Sequence, residues 1–372
     1  MHTKVREMLG CEFPILAFSH CRDVVAAVSK AGGVGVLGVI GYTPDQLKME
    51  LEWIEKEIGD RPYGVDILVP AKFVGSDEGG LESSKLDAMI PDEHRRFVEA
   101  LLVEHGVPVL PEEMKREGST TFQRDRAQEL IEVAFGHNIG LVANALGPPP
   151  DWMVERGKQE GVLVAALAGK AEHAIRHVEA GVDIVVAQGY EAGGHTGEIA
   201  SMVLIPEVVD AVDPVPVLAA GGIASGRQMA AALSLGAQGV WTGSVWLTTD
   251  EAETHPVVKK KFLAASSSDT IRSRSRTGKP ARQLKSAWTD AWEDPNNPSP
   301  LPMPLQLQLT QNAWRAIEHG AHKSKGAEQL VNYFVGQVVG SMNEPCTVRS
   351  VIEDMVQGYV DTMERLDSWS EG

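Results

Sequence analysis

The chain has 372 residues, of which 43% are hydrophobic, and a formal net charge of −17 at pH 7. This length predicts two or three domains, or one large barrel with additional segments, since domains usually span about 100 to 200 residues. The acidic excess disfavours nucleic acid as a partner because it repels phosphate. No apolar run approaches the roughly 18 residues that a membrane-spanning helix needs, so we expect no membrane association and a cytoplasmic location.

Eight short apolar segments rich in Val and Leu precede residue 250, and segments of helical period separate them. The apolar segments lack polar alternation, so they predict strands covered on both faces, as in a parallel sheet with crossover helices. Their repeated order predicts an α/β fold, a (β/α)8 TIM barrel. The predicted strands are residues 13–18, 32–40, 63–69, 140–146, 161–169, 182–189, 215–222 and 237–244.

Two parts of the chain depart from this repeat. The interval after the third predicted strand is too long for one helix and predicts an insertion or lid at about 71–118. After the eighth strand the chain becomes polar and proline-rich, and residues 326–342 and 347–366 predict two amphipathic helices. We therefore predict a barrel domain over residues 1–250. A helical and proline-rich C-terminal segment over residues 251–372 is expected to pack on it.

Two familiar motifs occur in settings that do not suit them. Gly33, Gly35 and Gly38 form a GxGxxG string, but it lies inside a predicted strand and follows a predicted helix, which argues against a dinucleotide fold. His173 and His177 lie one helical turn apart, yet no third ligand accompanies them. We predict a solvated helix face there and no metal site.

The stretch VVAQGYEAGGHTGE, residues 185–198, has the features of a catalytic loop. A strand ends at Gln188, and chemistry in such barrels occurs at the carboxyl ends of strands. Gly193 and Gly194 allow the backbone to approach a flat ligand closely, because glycine has no Cβ. His195 titrates near neutrality and can take or give a proton.

Two further loops predict a phosphate site. Gly221 and Gly222 end the seventh strand, and Gly243 and Ser244 end the eighth. The loops after strands seven and eight of this barrel usually hold a phosphate through backbone N–H groups and a helix N-terminus. An acidic chain can therefore bind a phosphate group through oriented amide dipoles.

The loops that carry His195 and the two glycine pairs resemble those of the nitronate monooxygenases, formerly called 2-nitropropane dioxygenases, which are FMN-dependent TIM barrels. Residues 187–197, AQGYEAGGHTG, and 219–244, AAGGIASGRQMAAALSLGAQGVWTGS, are similar to the two most characteristic stretches of that family. The similarity continues through residues 276–292. The same superfamily includes FMN-dependent enoyl-acyl carrier reductases and flavin enzymes of steroid breakdown, so the resemblance is less specific for the reaction than for the family.

The resemblance implies FMN as the cofactor and His195 as the catalytic base. It implies that the flavin is contacted by Ala17, Phe18, Ser19, Gln188, Gly193 and Gly194, and that its phosphate is held by Gly221, Gly222, Gly243 and Ser244. This chain has Asp66 where the family commonly has Asn at the end of strand three. It has Lys170 where the strand-five loop is usually small and neutral, and we expect Lys170 to reach the phosphate.

Three functions follow as hypotheses. The first is nitronate oxidation with O2, which gives a carbonyl compound and nitrite. The second is an NAD(P)H-dependent FMN reductase or hydroxylase acting on an enoyl or steroid-derived acyl substrate, anionic or CoA-linked, because residues 259–285 carry nine basic residues and one acidic residue. The alternative for that segment is a solvated face that pairs with acidic neighbours. The third hypothesis is a barrel that binds a phosphate ligand without redox chemistry. A homo-oligomer is compatible with all three.

Overall fold

The computed structural model describes residues 1–69, 81–115 and 124–370. Eight parallel strands form a closed barrel, in which the last strand pairs with the first, so the predicted (β/α)8 fold is confirmed. Each predicted strand segment corresponds to one barrel strand. The barrel strands are β1 (Ile15–Ser19), β2 (Val34–Gly38), β3 (Tyr63–Ile67), β4 (Leu141–Asn144), β5 (Leu163–Ala168), β6 (Ile184–Gln188), β8 (Val217–Ala220) and β9 (Gly239–Thr242). Three further strands lie outside the barrel: β7 (Gly194–His195), β10 (Thr270–Ser273) and β11 (Ala281–Leu284).

The helices begin and end at recognisable signals. Before the third helix, the Thr43 hydroxyl accepts from the Gln46 N–H in a capping box, Pro44 occupies the first turn, and Gly59 follows with φ 63°. The helices are α1 (Lys4–Leu9), α2 (Arg22–Lys30), α3 (Pro44–Ile58), α4 (Ser83–Ala88), α5 (Asp92–Glu104), α6 (Arg124–Phe135), α7 (Asp151–Glu160), α8 (Ala171–Glu179), α9 (Ser201–Val212), α10 (Gly226–Ser234), α11 (Pro256–Ala264), α12 (Ala287–Glu293), α13 (Leu305–Gly320), α14 (Lys325–Leu330) and α15 (Val348–Ser370).

The barrel strands bury side chains on both faces. Leu16 and Val36 belong to the core inside the barrel, whereas Ile15 and Ala17 belong to the core between strands and helices. Because successive side chains of a strand point to opposite sides, every second residue at a strand's carboxyl end faces the mouth of the barrel. This arrangement explains the absence of polar alternation and decides which residues reach the site.

The GxGxxG glycines serve strand packing. A Cβ on Gly35 would lie 2.2 Å from the backbone oxygen of Val25, and a Cβ on Gly38 would lie 2.6 Å from the ring of His20. Both glycines lie in β2, and no helix starts among them, so the rejection of a dinucleotide fold is confirmed. The predicted solvated face of α8 is wrong for His177, because this side chain is buried and its Nε2 lies 3.0 Å from the Leu167 oxygen.

The insertion after β3 packs on the C-terminal segment. Leu101 of α5 shares a buried apolar cluster with Phe262, Trp288 and Ile317, and Leu86 of α4 contacts residues of α13 in a smaller one. The helices of the insertion and of the C-terminal segment therefore form one layer. Residues 70–80 and 116–123, which belong to or border the predicted insertion, lie outside the described residues.

The segment after residue 250 is less helical than its composition suggests. β10 and β11 form a small antiparallel sheet with β7, which the sequence did not indicate. The predicted helix over residues 326–342 is wrong: α14 ends at Leu330, and the chain then runs extended to a 3-10 turn at Gln337–Ser341. A bridge between Gln283 and Phe334 explains the difference, since this β-branched and aromatic stretch lies alongside β11. The last predicted helix is confirmed as α15.

Replacing Gly226 by Ala should destabilise the protein, because α15 packs directly on the start of α10. A Cβ on Gly226 would lie 2.1 Å from the Tyr359 nitrogen and 2.2 Å from the Met355 oxygen. We expect Gly226→Ala to lower the free energy of unfolding by about 2 kcal/mol or more, measured by denaturant unfolding. Gly140→Ala is the control, because its new Cβ would lie 3.7 Å from the nearest atom, an ordinary contact distance. Equal stability of the two variants would contradict the packing.

Candidate functional site

A cavity of about 620 Å³ occupies the mouth of the barrel. Its floor is formed by the carboxyl ends of the strands, and its roof by the C-terminal segment, including Thr277, Met303, Leu307, Tyr333 and Phe334. This volume lies in the range of small-molecule and cofactor sites, and the position is where barrels of this type carry out chemistry. The cavity is therefore the candidate active site.

The loop that carries His195 is held by a short antiparallel pairing. His195 pairs with Ala281, and Gly194 pairs with Arg282. The buried Arg282 guanidinium donates to the Tyr190 oxygen at 3.1 Å and to the Thr270 hydroxyl at 3.1 Å, and it stacks 4.3 Å from the Tyr190 ring. Arg282 thus connects the β6–β7 loop to β10 and fixes the position of His195.

His195 is held uncharged at the cavity wall. Its Nε2 lies 2.9 Å from the hydroxyl oxygen of Thr277, and its ring lies 6.2 Å from that of Phe334. Burial, and then the positive charge of Lys279, lowers the pKa of His195 to about 4. A neutral imidazole at pH 7 can accept a proton, so His195 meets the first requirement of a general base.

The two glycine loops present backbone N–H groups to the cavity. Gly221 and Gly222 have φ of 96° and 70°, and this left-handed backbone turns the chain sharply after β8. Among the described residues, the N–H groups of Gly221, Gly222, Gly243 and Ser244 have no acceptor. The Ser244 hydroxyl accepts from the Gly336 N–H at 2.8 Å. Backbone donors without partners, on residues that line one cavity, suit an anion such as a phosphate group.

Asp66 lies at the end of β3 and faces into the cavity. It is only 6% exposed, and its carboxyl group has no hydrogen-bond partner among the described residues. Burial raises the pKa of Asp66 well above its usual value. A protonated carboxyl group offers one O–H donor and one acceptor oxygen, so Asp66 can present a donor to a ligand as an asparagine amide would. A buried polar group without a partner is itself a sign of a ligand site.

Most of the predicted site residues meet at this cavity. Gly193 lines it, but the space of its missing Cβ is filled by the backbone of Val335 and Gly336, whereas Gly194 has no atom within 4 Å of that position. Two predicted residues are not brought there: Ala17 faces the helices, and Lys170 is an exposed residue preceding α8. The predicted residues that line the cavity are Phe18, Ser19, Asp66, Gln188, Gly193, Gly194, His195, Gly221, Gly222, Gly243 and Ser244.

The basic residues of 259–285 mainly hold the chain together. Arg276 is buried, stacks 3.8 Å from the Trp314 ring and donates to the Asn332 backbone oxygen at 3.0 Å. Arg272 donates to the Thr196 oxygen at 3.1 Å, and Lys261 to the Val331 oxygen at 2.7 Å. None of these basic residues lines the cavity formed by the described residues. The alternative considered for this segment, a solvated face that pairs with acidic neighbours, holds only in part: Arg272 lies near Glu198 and Arg276 near Glu318, but both also donate to backbone oxygens.

Sequence reasoning missed several cavity residues. His20 follows β1 directly, and its Nδ1 lies 2.9 Å from the Gly38 oxygen. Its place after a barrel strand was a usable signal. Thr277 lies in the stretch 276–292 that resembles the family, but nothing local indicated its role. Tyr333 and Phe334 carried no signal, because they reach the cavity through contacts with distant parts of the chain.

A group of potential metal ligands lies at the edge of the cavity. One ligand atom each of Cys21, Asp23 and Glu253 lies within 4.8 Å of the others. The Cys21 thiol donates to the Glu251 oxygen at 3.2 Å, and burial raises the pKa of this thiol. Because the thiolate is the metal ligand, this environment does not favour a metal, and we assign none.

Comparison with known proteins identifies the family. The sequence pattern described as nitronate monooxygenase matches residues 16–358. The chain belongs to the nitronate monooxygenase family. It is therefore an enzyme of the oxidoreductase class, and the hypothesis of a barrel without redox chemistry is rejected. No helix of the described residues is long and apolar enough to cross a membrane.

Relatives of the nitronate monooxygenase family match over nearly the whole chain. A proposed monooxygenase of Mycobacterium tuberculosis is 58% identical and covers 98% of both chains. A proposed nitronate monooxygenase of Bacillus subtilis is 31% identical over 90% of this chain and 91% of its own. Among solved structures, FabK from Thermotoga maritima is 26% identical, with a TM-score of 0.71 over 99% of each chain. A nitroalkane oxidase from Streptomyces ansochromogenes, 24% identical, shares the fold with a TM-score of 0.80 over 97% of this chain and 99% of its own.

Replacing Asp66 by Asn should stabilise the ligand-free protein increasingly as the pH rises. Above about pH 4 the unfolded chain releases the Asp66 proton, whereas the folded protein keeps it because burial raises this pKa. As the pH rises, the free energy of unfolding of the wild type therefore falls, whereas Asp66→Asn shows no such fall. Denaturant unfolding between about pH 4 and pH 8 measures the difference. A difference between Asp66→Asn and the wild type that stays constant over this pH range would refute a neutral Asp66.

Proposed function

We propose that the protein is an FMN-dependent oxidoreductase that oxidises nitronates with O2 to carbonyl compounds and nitrite. The observation that carries this proposal is a single cavity with a neutral histidine on one wall and unpaired backbone N–H donors on another. Membership of the nitronate monooxygenase family supports the reaction type. Both requirements of a flavin enzyme, a phosphate site and a group that handles a proton, meet in that space.

The residues present fit FMN. The N–H groups of Gly221, Gly222, Gly243 and Ser244 would hold its phosphate, since they are oriented donors without partners among the described residues. Asp66 and Gln188, which face the cavity from β3 and β6, would bond the polar edge of the flavin ring. Phe18 and the open face of Gly194 would lie against the ring. Lys170 has no part in this proposal, because it is exposed and lies away from the cavity.

The division of labour follows from these positions. FMN, when bound, supplies the redox chemistry, and the protein supplies binding, orientation and proton handling. His195 would accept the α-carbon proton of the parent nitroalkane, which leaves the nitronate, and an imidazole does this only while it is uncharged. The roof formed by Tyr333 and Phe334 excludes water from that contact, which strengthens the electrostatic interactions inside the cavity.

A second candidate is an NAD(P)H-dependent FMN reductase that acts on a bulky acyl substrate. The apolar roof favours it, because Leu247, Met303 and Leu307 would suit an apolar chain. The basic segment no longer supports a polyphosphate substrate, since Arg272, Arg276 and Arg282 have partners within the protein. An assay of NAD(P)H consumption with and without an electron acceptor separates the candidates: consumption coupled to an enone or enoyl thioester, without nitronate turnover, would favour the reductase.

Replacing His195 by Asn should abolish most turnover while FMN stays bound. The loss expected for a group that handles a proton is about 10²–10⁴-fold in kcat/KM for the parent nitroalkane, whose α-proton must be removed. Steady-state nitrite release measures the rate, and the flavin absorbance of the purified variant measures its cofactor content. His173→Asn, on α8 and outside the cavity, is the control and should match the wild type. Undiminished turnover by His195→Asn would remove this histidine from the mechanism.

The phosphate cradle should make the protein discriminate FMN from riboflavin. Hydrogen bonds to a charged group contribute about 1.5–3 kcal/mol each, so two of them predict an affinity for FMN at least roughly 10²-fold higher. Fluorescence titration of the ligand-free protein measures both dissociation constants. Equal affinities would show that Gly221, Gly222, Gly243 and Ser244 do not hold the phosphate. A protein that binds neither flavin would contradict the proposed function itself.

A further inference from the structure

Thr277 has three polar contacts that together fix how its hydroxyl is used. It lies in the turn between β10 and β11, and its Oγ1 is 2.9 Å from His195 Nε2. The same oxygen is 3.3 Å from the Lys279 backbone oxygen and accepts from the Lys279 N–H at 3.3 Å. No other hydroxyl of the described residues bonds the imidazole of His195.

The hydrogen-bond inventory of a hydroxyl orders these contacts. A threonine hydroxyl has one hydrogen to donate and two lone pairs. The Lys279 N–H uses one lone pair, and the hydroxyl hydrogen satisfies the Lys279 oxygen. In that arrangement the remaining lone pair accepts, and the proton between Thr277 and His195 belongs to Nε2. The reverse arrangement would leave the Lys279 oxygen without its donor from Thr277.

The turn that carries Thr277 is rigid, as a positioning group requires. Arg274 and Gly278 exchange two hydrogen bonds of 2.9 Å across it, one from the Arg274 side chain and one from the Gly278 N–H. Gly278 has φ 83°, and a Cβ there would lie 2.3 Å from the Leu301 oxygen. The backbone of residues 301–303 therefore supports the turn. The Thr277 hydroxyl is attached to this fixed backbone through a short side chain.

We propose that Thr277 is a positioning residue that fixes His195 in the tautomer with its proton on Nε2 and leaves Nδ1 as the proton acceptor toward the cavity. His195 Nδ1 has no hydrogen-bond partner among the described residues, and both residues line the cavity. The tautomer stands on geometry alone, whereas its use in catalysis rests on the proposed function. The bond is useful because an imidazole can accept a proton only at its unprotonated nitrogen.

The proton transfer is balanced by groups that are present. A proton leaves the ligand and bonds to Nδ1, the electron pair of the broken bond stays on the ligand, and His195 becomes an imidazolium with protons on both nitrogens. Its Nε2–H then donates a charge-assisted hydrogen bond to Thr277, which is stronger than the neutral one. Thr277 thereby stabilises the charged state without giving up a proton.

Nuclear magnetic resonance of protein labelled with 15N-histidine tests the tautomer directly. The wild type should show the His195 signals of an Nε2–H imidazole, assigned by their loss in His195→Asn. Thr277→Val removes the acceptor at nearly constant volume and should shift the signals toward a mixture of tautomers, and Thr277→Ser should restore them. A wild-type proton on Nδ1, or signals in Thr277→Val that match the wild type, would overturn the proposal.

A matched control exists next to the histidine. The Thr196 hydroxyl is buried and has no hydrogen-bond partner among the described residues, so Thr196→Val makes the same chemical change without touching the imidazole. It should leave the tautomer unchanged. If Thr196→Val shifted the signals as much as Thr277→Val, a general effect of packing would explain both and the proposal would fail.

Turnover gives the second readout. Thr277→Val should lower kcat/KM for a nitroalkane by about 10- to 100-fold with unchanged FMN content, because small displacements of a reacting group cost rates of that order. Thr277→Ser should recover most of the loss. If the wild type binds no flavin or turns over no nitronate, the proposed function fails while the resonance experiment still decides the tautomer. Full activity of Thr277→Val in a working enzyme would overturn its positioning role.

Discussion

The pairing of Gly194 and His195 with β11 is the interaction on which the site depends. A histidine on a glycine-rich loop has no fixed position of its own, because glycines allow many backbone conformations. Two residue pairs between β7 and β11 remove that freedom, and the buried Arg282 locks the preceding part of the loop to β10. The barrel provides the place for the chemistry, and a separate antiparallel sheet provides the geometry.

The same sheet explains what the basic segment is for. In an acidic chain, a segment with nine basic residues suggests a binding surface for an anion. Burial changes that interpretation, because a buried guanidinium needs acceptors and finds them in backbone oxygens and aromatic rings. Arg272 and Arg282 donate to backbone oxygens on either side of β7, and Arg276 donates to the Asn332 oxygen. Their charge serves cohesion of the layer above the barrel.

The sequence predicted the barrel and the loops because both are local patterns. A buried parallel strand needs a short apolar run, and glycines before a helix indicate a phosphate loop, whatever the rest of the chain does. Thr277 and the extended stretch near Phe334 are different, because their roles come from partners far away in sequence. Thr277 lies 82 residues from His195, and although its stretch resembles the family, nothing local connects it with the histidine. Lys170 shows the reverse error: its place after a strand suggested the site, but it is exposed at the start of α8.

The roof of the cavity affects how the protein folds during its synthesis. The helices of the insertion after β3 bury their apolar faces against helices that follow residue 250, and the hydroxyl beside His195 also comes from that late part of the chain. During synthesis the barrel strands emerge first, and the insertion must wait with uncovered apolar surface until the end of the chain arrives. Contacts over such long sequence separations slow folding. A truncated chain would therefore retain a barrel-forming sequence without ever assembling a competent cavity.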